Sequence, residues 1–76
     1  MPLSAYIFLE TEAGKAMSVA KRVTRIKGVK YAHTVTGPYD IIVFVEAQDT
    51  TELLDMIVKR IQNISGVMRT LTSVVV

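Results

Sequence analysis

The tetrapeptide Ile26-Lys27-Gly28-Val29 returns 38 positions later as Ile64-Ser65-Gly66-Val67, and 38 is half of the 76-residue chain. Four residues are weak evidence alone, but both copies stand where a helical pattern gives way to a strand-rich one. Before the first copy, apolar residues recur at Ala13, Ala16, Met17, Ala20, Val23 and Ile26, the spacing of one helical face, with Lys15, Lys21, Arg22 and Arg25 elsewhere on the wheel. Before the second, Leu54, Ile57, Val58, Ile61 and Ile64 form a similar stripe. Thr11 is expected to cap the first helix, and Asp49 with Glu52 has the spacing of a capping box for the second. Gly28 is expected as the left-handed cap that closes the first helix, and Gly66 as the end of the second.

Strand patterns fill the remainder. Leu3 to Leu9 is apolar and aromatic, and Val29 to Thr36 holds β-branched residues and a tyrosine. Gly37-Pro38-Tyr39-Asp40 carries turn chemistry before Ile41 to Val45, and Val67 to Val76 is rich in Thr and Val. The order is β-α-β-β-α-β, one strand-helix-strand unit per half. With right-handed crossovers this predicts an α+β, ferredoxin-like fold, a four-stranded antiparallel sheet with both helices on one face. Residues 1–76 are read as a single domain, since so short a chain has no room for a second.

One face of such a sheet lacks helices and should alternate to polar residues. Here it does not. Leu3, Ala5, Ile7 and Leu9 point one way in the first strand, and Tyr6 and Phe8 point the other; Ile41, Val43 and Val45 oppose Ile42 and Phe44 in the third. Each large side chain left exposed forgoes roughly 1.5–3 kcal/mol. With 50% apolar residues, 21% charged and no cysteine to supply a disulfide or a thiolate metal site, the chain is expected to be an obligate oligomer. Tyr6, Phe8, Ile42 and Phe44 are its expected interface. Base stacking on these rings is the competing reading, but RNA-binding sheets set basic and glycine residues beside their aromatics, and Ile41-Ile42-Val43-Phe44-Val45-Glu46 has neither.

Nine Lys and Arg against seven Asp and Glu leave a formal charge of +2 with mixed signs along the chain, which gives no stripe for nucleic acid. No apolar run approaches the roughly 18 residues of a membrane span, and Met1-Pro2-Leu3-Ser4 has no basic and apolar leader pattern. A cytoplasmic chain without membrane contact is expected. His33 is the single histidine and reads as a residue of the sheet surface in preference to a general base; no metal, cofactor or catalytic constellation is expected, and the chain is read as no enzyme.

Two polar groups stand out. In the Gly37 to Asp40 turn, free backbone donors near Gly37 and Tyr39 suit a carboxylate, and Asp40 suits an ammonium; a solvated turn is the alternative. Thr70, Thr72 and Ser73 place hydroxyls in a last strand otherwise full of valine, where Thr is also simply a good strand former.

The run Val35-Thr36-Gly37-Pro38-Tyr39-Asp40-Ile41, the two Ile-x-Gly-Val junctions and the closing Arg69-Thr70-Leu71-Thr72-Ser73-Val74-Val75 resemble the effector-binding (RAM) domain of the leucine-responsive regulator/AsnC, or Lrp/AsnC, family. The resemblance covers nearly the whole chain. It implies a small-molecule sensor in transcription regulation, usually for amino acids, whose sheets pack face to face as a dimeric α+β barrel, with dimers assembling into an octamer or similar ring. It further implies that the effector sits between dimers, near Gly37, Tyr39 and Asp40, with Thr70, Thr72 and Ser73 nearby. Full-length members carry an N-terminal helix-turn-helix domain, whereas this chain starts at the first strand. It is therefore expected to act alone or in mixed assemblies with full-length regulators, without binding nucleic acid itself. Pro38 stands where the family often has Asp, removing a carboxylate and a backbone donor. A small dimeric α+β-barrel enzyme, of monooxygenase or isomerase type, is the alternative with the same sheet packing, and an ACT-like module shares the topology but pairs its sheets edge to edge.

Overall fold

The computed structural model describes residues 2–76. Its elements are β1 (Leu3–Thr11), α1 (Ala16–Val23), β2 (Val29–Thr34), β3 (Ile41–Ala47), α2 (Thr50–Asp55) and β4 (Val67–Val74), with α2 continuing into a π-helical segment, Met56–Ile61. The strands form one antiparallel sheet in the order β2-β3-β1-β4, so β1 and β3 are central and β2 and β4 are edges. This is the ferredoxin-like arrangement.

Alternation decides which side the helices cover. Ala5, Ile7 and Leu9 of β1 and Ile41, Val43, Val45 and Ala47 of β3 are buried together with Val19 and Val23 of α1 and Leu53, Met56, Ile57 and Ile61 beyond β3. Both helical layers therefore sit on one face, and all of this core lies between them and the sheet.

The repeated tetrapeptide is a fastening between the two halves. In each copy the valine N–H donates to the isoleucine carbonyl three residues back, at 3.1 Å for Val29 and 3.1 Å for Val67. The glycine between them has positive φ, 96° at Gly28 and 102° at Gly66, as the third position of a type II turn requires. Each glycine carbonyl then accepts from the opposite half, Gly28 from the Glu46 N–H and Gly66 from the Glu12 N–H, both at 2.8 Å. Gly28 also leaves no room for a side chain, since a Cβ there would lie 2.5 Å from Met56 Cε and 2.9 Å from the Glu46 carbonyl oxygen.

The glycines consequently do not cap the helices. α1 ends at Val23 with Thr24 as its cap in helical geometry, and the chain then tightens into i→i+3 bonds from Arg25 to Arg22 and from Ile26 to Val23. The π segment likewise ends at Ile61, ahead of Gly66. Thr11 does not cap α1 either. A turn closed by Lys15 N–H on the Glu12 carbonyl delays the helix, Lys15 takes the cap position without a side-chain bond, and Thr11 stays in β1. Asp49 does cap α2, accepting from the Glu52 N–H at 2.8 Å.

The stripe of the second helix is also shifted from the expected one. Leu53 and Met56 are buried beside Ile57 and Ile61, whereas Leu54 and Val58 are exposed. Leu53, Met56, Ile57 and Ile61 keep the spacing of one helical face, and the bond from Gln62 N–H to the Ile57 carbonyl, at 2.9 Å, spans five residues and widens the last turn. Among the described residues no helix is long and apolar enough to cross a membrane.

Candidate functional site

The helix-free face of the sheet is built from the alternate residues of all four strands. Register places Tyr31, Phe44, Tyr6 and Ser73 in one row across β2, β3, β1 and β4, and His33, Ile42, Phe8 and Leu71 in the next. Phe44 lies between two tyrosines, 4.9 Å from the Tyr6 ring and 5.4 Å from the Tyr31 ring, the latter nearly parallel. His33 sits 4.9 Å from Tyr31. The Tyr6 hydroxyl, hydrogen-bonded to Tyr31, pushes the Tyr31 phenol above its ordinary value of 10.0, with desolvation and the charge of Tyr6 adding to it. Charges appear only at the ends of this patch: Lys30 pairs with Glu46 at 3.4 Å at one end, and Glu10 lies opposite Arg69 at the other.

Tyr6, Tyr31 and Leu71 remain 38%, 38% and 49% exposed, and Phe8, Ile42 and Phe44 are half-buried. The four residues expected at the interface thus share the face, and Tyr31, His33 and Leu71 extend it to both edges. The alternation of β2 and β4 carried that signal, but the mixed polarity of these edge strands made it weak.

At one end of the face the β2–β3 connection folds back. Val35 N–H donates to the Asp40 carbonyl at 2.9 Å and closes the loop; Asp40 N–H donates to the Leu9 carbonyl at 2.9 Å and ties it to β1. The Tyr39 ring packs 5.6 Å from Phe8, on the open face. Gly37 has φ 125° with open space where a Cβ would point. Among the described residues the N–H groups of Gly37 and Tyr39 have no protein acceptor, so the loop presents two free donors. Asp40 is already engaged on one side, its Oδ2 accepting from the Thr11 N–H at 2.8 Å and the Thr11 hydroxyl at 3.3 Å.

The hydroxyls of β4 do not join this loop within one chain. Thr70 and Thr72 stand opposite Leu9 and Ile7 and so face the helical side, while Ser73 stands opposite Tyr6 on the open face. The Thr70 hydroxyl accepts from Gln62 Nε2 at 3.0 Å and lines a groove of about 330 Å³ with Gln62, Val67, Met68 and Arg69. β1 separates β4 from the loop, a gap of about 10 Å at the Thr70 row, and Ser73 lies about 10 Å farther along the strands. Gly37, Tyr39 and Asp40 therefore form one cluster, Thr70 and Thr72 a second, and Ser73 belongs to the aromatic face.

The model of the Lrp/AsnC ligand binding domain matches residues 4–76. The chain belongs to this family. Homocitrate synthase of Sulfolobus acidocaldarius is similar over a shorter stretch, 45% identical over 58 residues, which is 76% of this chain. The chain spans only 12% of the length of the curated homocitrate synthases it matches. Among solved structures, the protein PHS023 from Pyrococcus horikoshii superposes with a TM-score of 0.91 at 31% identity, covering 97% of this chain and 89% of that one. The regulator NMB0573 from Neisseria meningitidis, solved as its L-Met complex, superposes at 0.87 with 21% identity, covering 97% of this chain and 49% of that one. At that identity the second likeness is one of fold.

As an Lrp/AsnC ligand-binding domain the chain is an effector-binding regulatory module. Thr11 is the neighbour of this loop that the sequence pattern hid, because a threonine at the end of β1 reads first as a helix cap. Its contact with Asp40 joins positions 29 residues apart and has no local signature.

Proposed function

We propose that this chain is an oligomeric sensor of amino-acid effectors in transcription regulation, and that it works as a face-to-face dimer. The observation that carries this reading is the uncovered aromatic face. Tyr6, Phe8, Tyr31, Ile42, Phe44 and Leu71 form one contiguous patch with an acid and a base at each end, and a two-fold axis through such a patch sets each end against its complement. Face-to-face packing of two copies removes the exposed rings from water and gives the dimeric α+β barrel.

The effector in this reading is held by the loop. The free N–H groups of Gly37 and Tyr39 take a carboxylate, and the oxygen of Asp40 not engaged by Thr11 takes the ammonium. Thr70 and Thr72 reach the effector from another copy, in keeping with their separation from the loop in one chain, so the site is complete only in an assembly of dimers such as an octameric ring; Ser73, on the open face, falls to the dimer interface in this reading. The L-Met complex of the Neisseria regulator supports an amino acid as the ligand class. Action in the cytoplasm, alone or in mixed oligomers with full-length Lrp/AsnC regulators, belongs to the same proposal. So does the absence of catalysis and of direct nucleic-acid binding: His33 has only Tyr31 as an aromatic neighbour, and the cations at the rim face acids.

Light scattering after size exclusion, with and without each of the twenty amino acids, tests both halves of the proposal. A dimer or larger assembly, whose size or melting temperature changes with one or a few amino acids, is expected. A monomer in every run would remove the assembly, and an oligomer indifferent to all twenty would leave only a scaffold.

A further inference from the structure

Thr11 is buried, 8% exposed, and is the single polar residue among the buried ones described. Both of its donors converge on one atom, Asp40 Oδ2, the N–H at 2.8 Å and the hydroxyl at 3.3 Å. Along β1 the sides alternate, Leu9 toward Asp40 and Glu12 toward Gly66, so the Thr11 N–H points at the loop; the register with β4 slips at Glu10/Thr11, where Met68 is the extra residue. Asp40 in turn closes the loop through its carbonyl and anchors it to β1 through its N–H. Three bonds to main chain and one to a hydroxyl thus fix this aspartate, with one carboxylate oxygen left over.

We propose that Thr11 is a positioning residue for the effector site: by holding Asp40 Oδ2 it sets the Gly37–Tyr39 donors and aims the remaining carboxylate oxygen outward. This rests on the loop being the site where the effector binds. Two donors on one oxygen fix the carboxylate plane, because rotation about its bond would break the short N–H contact. An aspartate free to rotate would instead offer either oxygen to the solvent, and the loop behind it would keep only the backbone bond to Leu9 as its tie to β1. Strand alternation is what makes this possible, since Thr11 lies two residues after Leu9, whose carbonyl accepts from the Asp40 N–H, and so turns its own N–H to the same side.

The test compares Thr11→Val, which keeps shape and the N–H but removes the hydroxyl, with Thr11→Ser, which keeps the hydroxyl. Amide hydrogen exchange at Val35 and Asp40 reads the latch without any ligand, and calorimetric titration with the amino acids that stabilise the wild type reads the site. Thr11→Val is expected to exchange faster at both amides and to bind about three- to tenfold more weakly, the effect of losing one long bond to a charged acceptor. Thr11→Ser is expected to restore both. Unchanged exchange and affinity in Thr11→Val would overturn the proposal, as would a lower melting temperature with an unaltered binding midpoint, which marks a purely structural threonine. Faster loop exchange in a protein whose wild type binds none of the twenty would uphold the latch and overturn the reading of the loop as the effector site.

Discussion

The two faces of this sheet are both apolar, but they differ in the shape of their side chains and in what covers them. On the helical side Ala5, Ile7, Leu9, Ile41, Val43 and Val45 are fully buried within one chain. On the other, Tyr6, Phe8, Ile42 and Phe44 stand on the same two strands, one residue out of phase, and keep part of their surface open. The first face is aliphatic and small enough to interdigitate with helices. The second is aromatic and flat, a surface that suits another sheet. Period-two alternation therefore separates, within β1 and β3, a face covered by the chain's own helices from an open one, which the proposed dimer would cover.

The largest effect comes from breaking the first face. Ile7→Ala removes a fully buried side chain beneath both helices, and is expected to cost about 2–5 kcal/mol in urea unfolding at matched protomer concentration. Its assembly state, measured where the protein is still folded, should not change. Phe44→Ala is the counterpart on the second face. Phe44 is the ring held between two tyrosines, and a central aromatic of this kind is worth about 2 kcal/mol or more in an interface. Light scattering should find the dimer dissociating about thirtyfold or more readily, with helical and strand circular dichroism retained at low temperature. A Phe44→Ala variant that loses stability like Ile7→Ala but keeps its mass would erase the distinction.

The sequence carried much of this and lost the rest for reasons that can be named. Topology, both sheet faces and the Asp49 cap depend on local periodicity and spacing, and they were legible. The roles of Gly28 and Gly66 were misread because a glycine after an amphipathic run has the same pattern whether it caps a helix or turns into a strand. The stripe on α2 was displaced because Leu53, Met56, Ile57 and Ile61 keep helical spacing as well as Leu54, Ile57, Val58 and Ile61 do, and periodicity does not choose between two overlapping stripes. Of the six expected effector residues, Gly37, Tyr39 and Asp40 cluster because they are neighbours in the chain. Thr70, Thr72 and Ser73 were grouped by proximity in sequence, and a strand sends such neighbours to opposite faces.

The glycines sharpen the contrast between folding parts and site parts. Gly28→Ala meets both a positive φ and two close atoms, one of them a backbone carbonyl that cannot move without disturbing β3. A loss of about 2–4 kcal/mol is expected, the strain of that conformation plus displacement of Met56. Gly37→Ala meets open space and bears only the conformational strain, about 1–2 kcal/mol, and that within a loop. Thermal melts of the two variants should rank them in this order. Amino-acid binding should rank them in reverse, since Gly37→Ala keeps the N–H but strains the positive φ that aims it, whereas Gly28 lies outside the proposed site. Equal effects on binding would show that the loop has no special part in it.

The smallest effect lies wholly on the aromatic face. Tyr31 holds its proton more tightly than an ordinary tyrosine, first because of the hydrogen bond with Tyr6, then through desolvation and the charge Tyr6 acquires. A raised folded value means that the folded chain binds the proton better than the unfolded one between 10.0 and that higher value. The stabilisation from this pair is therefore complete below pH 10 and is lost as pH rises through the folded value. No corresponding change arises on the helical face, whose buried side chains do not ionise. Ultraviolet titration of tyrosinate should resolve one late-titrating tyrosine in the wild type, moving back toward 10.0 in Tyr6→Phe. If Tyr6→Phe leaves the late step in place, the hydroxyl pair is not its cause, and burial of Tyr31 against a second copy becomes the explanation. The same titration below and above the dimer dissociation concentration then separates the two, because only burial by a partner depends on concentration.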